Sequence, residues 1–68
     1  MNGRVAAFDE AAGLGTIAAD DGTEHPFHCV EIADGTRTIA IGVDVEFDLL
    51  RKLGRIEARR IRPARGRD

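Results

Sequence analysis

Sixty-eight residues with one cysteine, three phenylalanines and neither tryptophan nor tyrosine make one domain, near the lower size limit for folding on an apolar core alone. Cys29 has no second cysteine, which excludes an intramolecular disulfide framework, and a lone thiol in otherwise ordinary composition fits a reducing compartment, expected to be the cytoplasm. The formal charge of −2 hides a split: residues 1–50 set Arg4 and Arg37 against ten acids, a balance of −8, whereas residues 51–68 set eight cations against Glu57 and Asp68, a balance of +6. Such a split points either to an anionic partner met by the basic end, or to two ends that neutralise each other within one fold. No apolar run approaches the ~20 residues that span a bilayer, and Met1-Asn2-Gly3-Arg4 does not open a signal peptide, so no membrane partner is expected.

Strand signals dominate from the first residues onward. A first strand is expected over 4–9 and a second over 14–19, where Gly13 and Gly15 flank Leu14 and mark a bend or a close backbone approach. Asp21-Gly22 supplies the left-handed residues of a tight hairpin into a third strand, expected over 27–32. Pro26 cannot donate to a ladder and belongs at a strand start or edge. A longer connection over 33–42, punctuated by Asp34-Gly35 and Gly42, leads to Val43-Asp44-Val45-Glu46-Phe47-Asp48-Leu49, which alternates apolar and acidic without a break. That is a half-buried strand, with Val43, Val45, Phe47 and Leu49 toward a core and the carboxylates toward water. Leu53-Gly54 turns into a fifth strand over 56–61, and Val5, Ile17, Val45 and Phe47 are the expected centre of the core. Five short strands with one long connection between the third and fourth predict an all-β fold, a small antiparallel Greek-key barrel of the OB type over 1–63. Residues 64–68 have nothing apolar to bury beyond Ala64 and are expected to form a basic, disordered tail.

Gly3-Arg4-Val5 with Phe8, then Gly13-Leu14-Gly15-Thr16-Ile17, then Asp21-Gly22 and Phe27-His28, resemble the cold-shock domain, whose pattern runs roughly G-K-V-K-W-F-N, K-G-F-G-F-I, D-G and V-F-V-H. The resemblance covers 3–61 and implies binding of single-stranded RNA or DNA across an exposed sheet face, with no cofactor and no catalysis. Carried over position by position, the family's tryptophan falls on Ala7, the two phenylalanines of its second motif on Leu14 and Thr16, and its lysine on Ala12. On the third strand a phenylalanine falls on Pro26, the histidine on His28 and a following aromatic on Cys29. His28 keeps a ring, Phe8 stands at the margin, Arg4 matches a basic position and Glu24 an acidic one. Phe27 either turns outward to replace one lost ring or belongs to the core.

A base stacked on an aromatic ring contributes ~1–3 kcal/mol, so five lost rings forfeit on the order of 5 kcal/mol at least, or roughly a thousandfold in affinity. Binding is therefore expected to be weak and sequence-tolerant, with Arg4, Phe8, Leu14, Thr16, Phe27, His28, Arg59 and Arg60 as the nucleic-acid contacts. Guanidinium groups bind phosphate bidentately, which gives the basic end its part in that reading. The competing reading for the basic end is that it folds back on Asp44, Glu46 and Asp48. A second functional reading is a barrel that has lost nucleic-acid binding and meets a protein partner, or a second copy, through the apolar face of Ala7, Leu14, Thr16 and Pro26.

His25, His28 and Cys29 fall short of the four ligands of a closed zinc site, and His28 and Cys29 point to opposite faces of a strand, so a surface histidine and a small buried thiol are expected. Asp9-Glu10 and Asp20-Asp21 read as turn carboxylates, and Cys29 lacks an activating base, so no enzyme is expected.

Overall fold

A computed structural model describes residues 1–33 and 38–64. Strands β1 (Asn2–Asp9), β2 (Leu14–Ala19), β3 (Glu24–His28), β4 (Asp44–Lys52) and β5 (Arg55–Pro63) form one antiparallel sheet in the order β3-β2-β1-β4-β5. The first three strands are a meander, and the long connection carries the chain back to place β4 beside β1. The sheet curls until its ends approach: Ile32 bridges Ile61, and the Ala33 amide donates to the Ile61 carbonyl at 2.8 Å. This is the five-stranded barrel the alternation and glycine spacing predict.

The core is Val5, Ile17, Phe27, Val45, Phe47 and Ile61, each essentially inaccessible, with Ala19, Ile32 and Ala58 beside them. All four residues expected at its centre are there. Val43 and Leu49, also expected inside, are exposed. Val43 precedes the strand, and β4 pairs with β1 from Asp44 to Glu46 and exchanges hydrogen bonds with Met1 at Phe47, where that contact ends. Beyond that the hairpin of β4 and β5 runs on with only its own ladder, so an inward-alternating residue such as Leu49 has little to pack against.

The third strand is shifted from its expected place. It starts at Glu24 and ends at His28, and Cys29–Glu31 is a single 3-10 turn. The shift follows from hairpin chemistry: Ala19 receives Gly22 N–H on its carbonyl and donates its own amide to Thr23 O at 2.8 Å, with Gly22 at φ +91°. The turn therefore closes at Thr23, and pairing resumes at Ala18↔Glu24. Pro26 sits mid-strand, tolerated because β3 is at the end of the sheet order.

Two irregularities aim side chains. In β1 the register slips between Val5 and Ala7, so Ala6 is an extra residue, Ala7 stands opposite Thr16, and Phe8 stands opposite Gly15. In β5 Arg60 and Ile61 together oppose Phe47, and Arg60 takes φ +53°, a left-handed conformation uncommon for a non-glycine residue. The Arg60 carbonyl accepts from Arg62 Nη1 at 2.7 Å, which braces the kink.

Ala64 still donates its amide to Asp44 O at 3.2 Å, so the ordered pairing reaches one residue past the expected boundary; residues 65–68 of the expected tail, and Asp34, Gly35 and Arg37 of the long connection, lie outside the described residues.

Two substitutions test this core. Phe47→Ala is expected to cost about 3–5 kcal/mol, enough to unfold a domain of this size. Gly15→Ala is expected to destabilise strongly, because the new Cβ runs into the Phe27 ring and lies 2.9 Å from the Ala7 carbonyl oxygen. Denaturant titration followed by far-UV circular dichroism reads both; a Phe47→Ala variant as stable as the parent refutes the core assignment.

Candidate nucleic-acid interface

Register places the outward residues of β1, β2 and β3 in cross-strand rows. Ala7, Thr16 and Pro26 form one row, and Asp9, Leu14 and His28 form the next. Arg4, Ala18 and Glu24 make a third, toward the hairpin end. Side chains of neighbouring strands in one row stand about 5 Å apart, so the first two rows are a continuous platform. Ala7, Leu14, Pro26 and His28 are exposed and Thr16 is half-buried, so the apolar face inferred for Ala7, Leu14, Thr16 and Pro26 exists as a surface.

The row between them faces the other way. Phe8, Gly15 and Phe27 are aligned across the three strands, and Gly15 leaves the space that the Phe27 ring fills. Phe8 stacks on Phe27 with centroids 6.0 Å apart and planes 6° from parallel. Phe27 is 1% exposed, so it belongs to the core and does not turn outward to replace a lost ring. Phe8 is half-buried against the core and also lines the groove in front of the platform, which is the marginal place expected of it. That groove holds about 540 Å³ and is walled on its far side by Ile41, Arg55 and Glu57.

Cys29 and the histidines part company. Cys29 lies in the 3-10 turn, partly buried with its sulfur against Gly13, and its amide donates to Gly13 O at 2.8 Å. His28 is exposed, whereas His25 is buried against the Phe47 ring at 6.1 Å between centroids. Its Nε2 lies 2.8 Å from Thr23 Oγ1, whose own proton goes to Asp21 Oδ1 at 2.6 Å. The imidazole must therefore be the donor, which fixes the Nε2–H tautomer. Among the described residues no three His, Cys, Asp or Glu side chains converge as a metal site would require.

The arginines expected to carry phosphate contacts stand mostly in ion pairs with β4. Arg4 Nε is 3.3 Å from Asp44 Oδ1, and Arg60 Nε is 3.9 Å from Asp48 Oδ2. Arg62 reaches Glu46 at 3.8 Å and Asp48 at 3.5 Å, while Arg59 is half-buried opposite Asp48 in the ladder. The described part of the basic end thus folds back on the acids of the fourth strand. Exposed pairs of this kind are worth about 0–1 kcal/mol each, so a phosphate can compete for these guanidinium groups.

A family model for the 'Cold-shock' DNA-binding domain matches residues 1–64. The chain belongs to the cold-shock domain family. No curated protein matches it. Of the five positions at which this chain lacks a ring of the cold-shock pattern, the platform holds Ala7, Leu14, Thr16 and Pro26, while Cys29 has left the strand for the turn. Sequence reasoning passed over Arg55 and Glu57; the visible signal was an acid between Ile56 and Ala58 inside an otherwise basic stretch.

The Thr23 hydroxyl and amide, with His25 nearby, hold the Asp21 carboxyl below the usual carboxylate range. A carboxylate whose pKa is depressed on folding stabilises the native state above its unfolded value and loses that contribution as pH falls through the lower folded value. Melting temperatures followed downward from about pH 6 are expected to drop less for Asp21→Asn than for the parent below about pH 4. Parallel curves would mean that Asp21 does not anchor this hairpin.

Proposed function

We propose that this cold-shock domain binds single-stranded RNA or DNA weakly and with little sequence preference, in the cytoplasm. The observation that supports it most is the platform itself: four of the five positions whose rings are absent here, Ala7, Leu14, Thr16 and Pro26, stand outward in aligned rows, Thr16 half-buried and the other three exposed. Leu14, Thr16 and His28 are the contacts on the platform, with Phe8 at its edge resting on Phe27. Arg4 and Arg60 supply phosphate contacts at the cost of their exposed pairs with β4, and Arg59 adds a third. The reading is non-catalytic; the Asp21 carboxylate, for one, is occupied in holding the hairpin turn. No helix among the described residues is long and apolar enough to cross a membrane.

A second reading has its own support. Leu14 on the platform is 46% exposed, and Pro26 and Ile41 beside it are exposed too, which suits a protein partner or a second copy meeting the same face. Sedimentation without nucleic acid separates the second copy from the other cases.

The first reading is tested by anisotropy of labelled single-stranded oligonucleotides at several salt concentrations. Leu14→Phe with Thr16→Phe is expected to tighten binding at least about tenfold, from ~1–3 kcal/mol per stacked base. Arg59→Ala with Arg60→Ala is expected to reduce the salt slope by about 1.4, two contacts at about 0.7 each. A folded double-phenylalanine variant with unaltered affinity would show that the platform does not meet bases.

A further inference from the structure

The groove in front of Ala7, Thr16 and Pro26 has a polar wall made by Arg55 and Glu57. Two residues apart on β5, they share a side of the strand. Glu57 is 5% exposed. A carboxylate removed from water to that degree is costly unless paired. Arg55 supplies pairing, its Nε 3.3 Å from Glu57 Oε2, while the Arg55 side chain itself stays 67% exposed. The buried carboxylate therefore anchors one edge of the guanidinium and leaves the rest of the group toward the groove. Arg55 and Pro26 also line an adjoining groove shared with His25, Arg51 and Ile56, so Arg55 stands where the two meet.

A guanidinium is planar, more weakly hydrated than an ammonium, and stacks on π faces. Single-stranded bases are taken by aromatic rings or by arginine planes. We propose that Arg55, held by Glu57, is the planar group against which this platform seats a base of a single-stranded nucleic acid, in place of the rings absent at Ala7, Thr16 and Pro26. The inference rests on the single-strand reading above. Arg55 is the base-contacting residue and Glu57 its positioning residue.

Charge and positioning make opposite demands on Glu57. If the carboxylate only repels phosphate, Glu57→Gln tightens binding; if it holds Arg55 in place, Glu57→Gln weakens binding although a negative charge is lost. Likewise, Arg55→Lys keeps the charge and removes the plane.

The experiment titrates the full chain and its Arg55→Lys, Arg55→Ala and Glu57→Gln variants into labelled oligothymidylate and oligouridylate at several salt concentrations, with circular dichroism melts to confirm folding. Arg55→Lys is expected to weaken binding to both probes about tenfold or more. Its salt slope should stay near that of the parent, whereas Arg55→Ala should lose affinity and about 0.7 of slope. Glu57→Gln is expected to weaken binding. Unaltered affinity in Arg55→Lys, or tighter binding by a folded Glu57→Gln, overturns this inference alone; should Glu57→Gln fail to fold, Arg55→Lys decides. Failure of the parent to bind either probe at low salt overturns both this inference and the reading beneath it.

Discussion

The Phe27 ring occupies the space that a side chain at position 15 would need, and the arrangement of the first three strands follows from that contact. With Phe27 locked under Gly15 and stacked on Phe8, the three strands cannot slip relative to one another without evicting a ring from the core. A slip of one residue in any strand would turn its outward set inward. The extra residue at Ala6 completes the alignment, since without it Phe8 would miss Gly15 and Ala7 would not stand beside Thr16. A buried aromatic pair thus sets which residues the protein shows to its surroundings. The platform keeps the architecture of a stacking surface while the stacking rings themselves are gone.

Part of the charge split along the chain resolves into pairing between neighbouring strands. Acids alternate along β4, and β5 lies beside it, so Glu46 and Asp48 meet Arg62 and Arg60, while Asp44 meets Arg4 from β1 on the other side. The left-handed backbone at Arg60 belongs to the same arrangement, because the extra residue it creates shifts which β5 side chains face Asp48. Paired charges act at a distance as dipoles, whose field falls off faster than that of isolated ions and is further cut by salt. Pairing of Glu46 and Asp48 with β5 thus screens part of the −8 balance of the first fifty residues.

Much of the fold was legible because its signals are local. Asp21-Gly22 names a hairpin, Gly13 takes φ +70° and Gly54 φ +77° at turns, and the period of two from Asp44 to Asp48 separates a wet side from a dry one. The failures were of tertiary origin. Leu49 alternates correctly but lies past the point where β1 stops, which no pattern within β4 can reveal. The third strand was read from its apolar run, 27–32, whereas its start is dictated by the closing of the turn at Thr23. The burial of His25 has no signal in the sequence, because the hydroxyl that satisfies it is defined only by the folded hairpin. Of the candidate site, Ala7, Leu14, Thr16 and His28 were placed by the family pattern, but Phe27 was ambiguous between two faces until the register was known. Arg55 and Glu57 could not be joined to the platform from sequence, since the barrel brings β5 against a groove formed by residues some thirty to fifty positions earlier.

What a cold-shock platform loses with its rings is mainly contact with base faces, because phosphate attraction depends on cations placed elsewhere. An aliphatic platform still offers dispersion and dehydration beneath a base, but it lacks a π face above or beside it. A single planar cation can answer that lack in part, provided its orientation is held; a freely rotating arginine would spend much of its gain on side-chain entropy. Burial of Glu57 is the feature that meets this condition. The desolvation of a carboxylate is a standing cost to the fold, and it persists only if the partner is kept in place. The same pairing that compensates the burial of Glu57 holds Arg55 at the groove, so one ion pair couples the packing of β5 to the open face that the buried phenylalanines align.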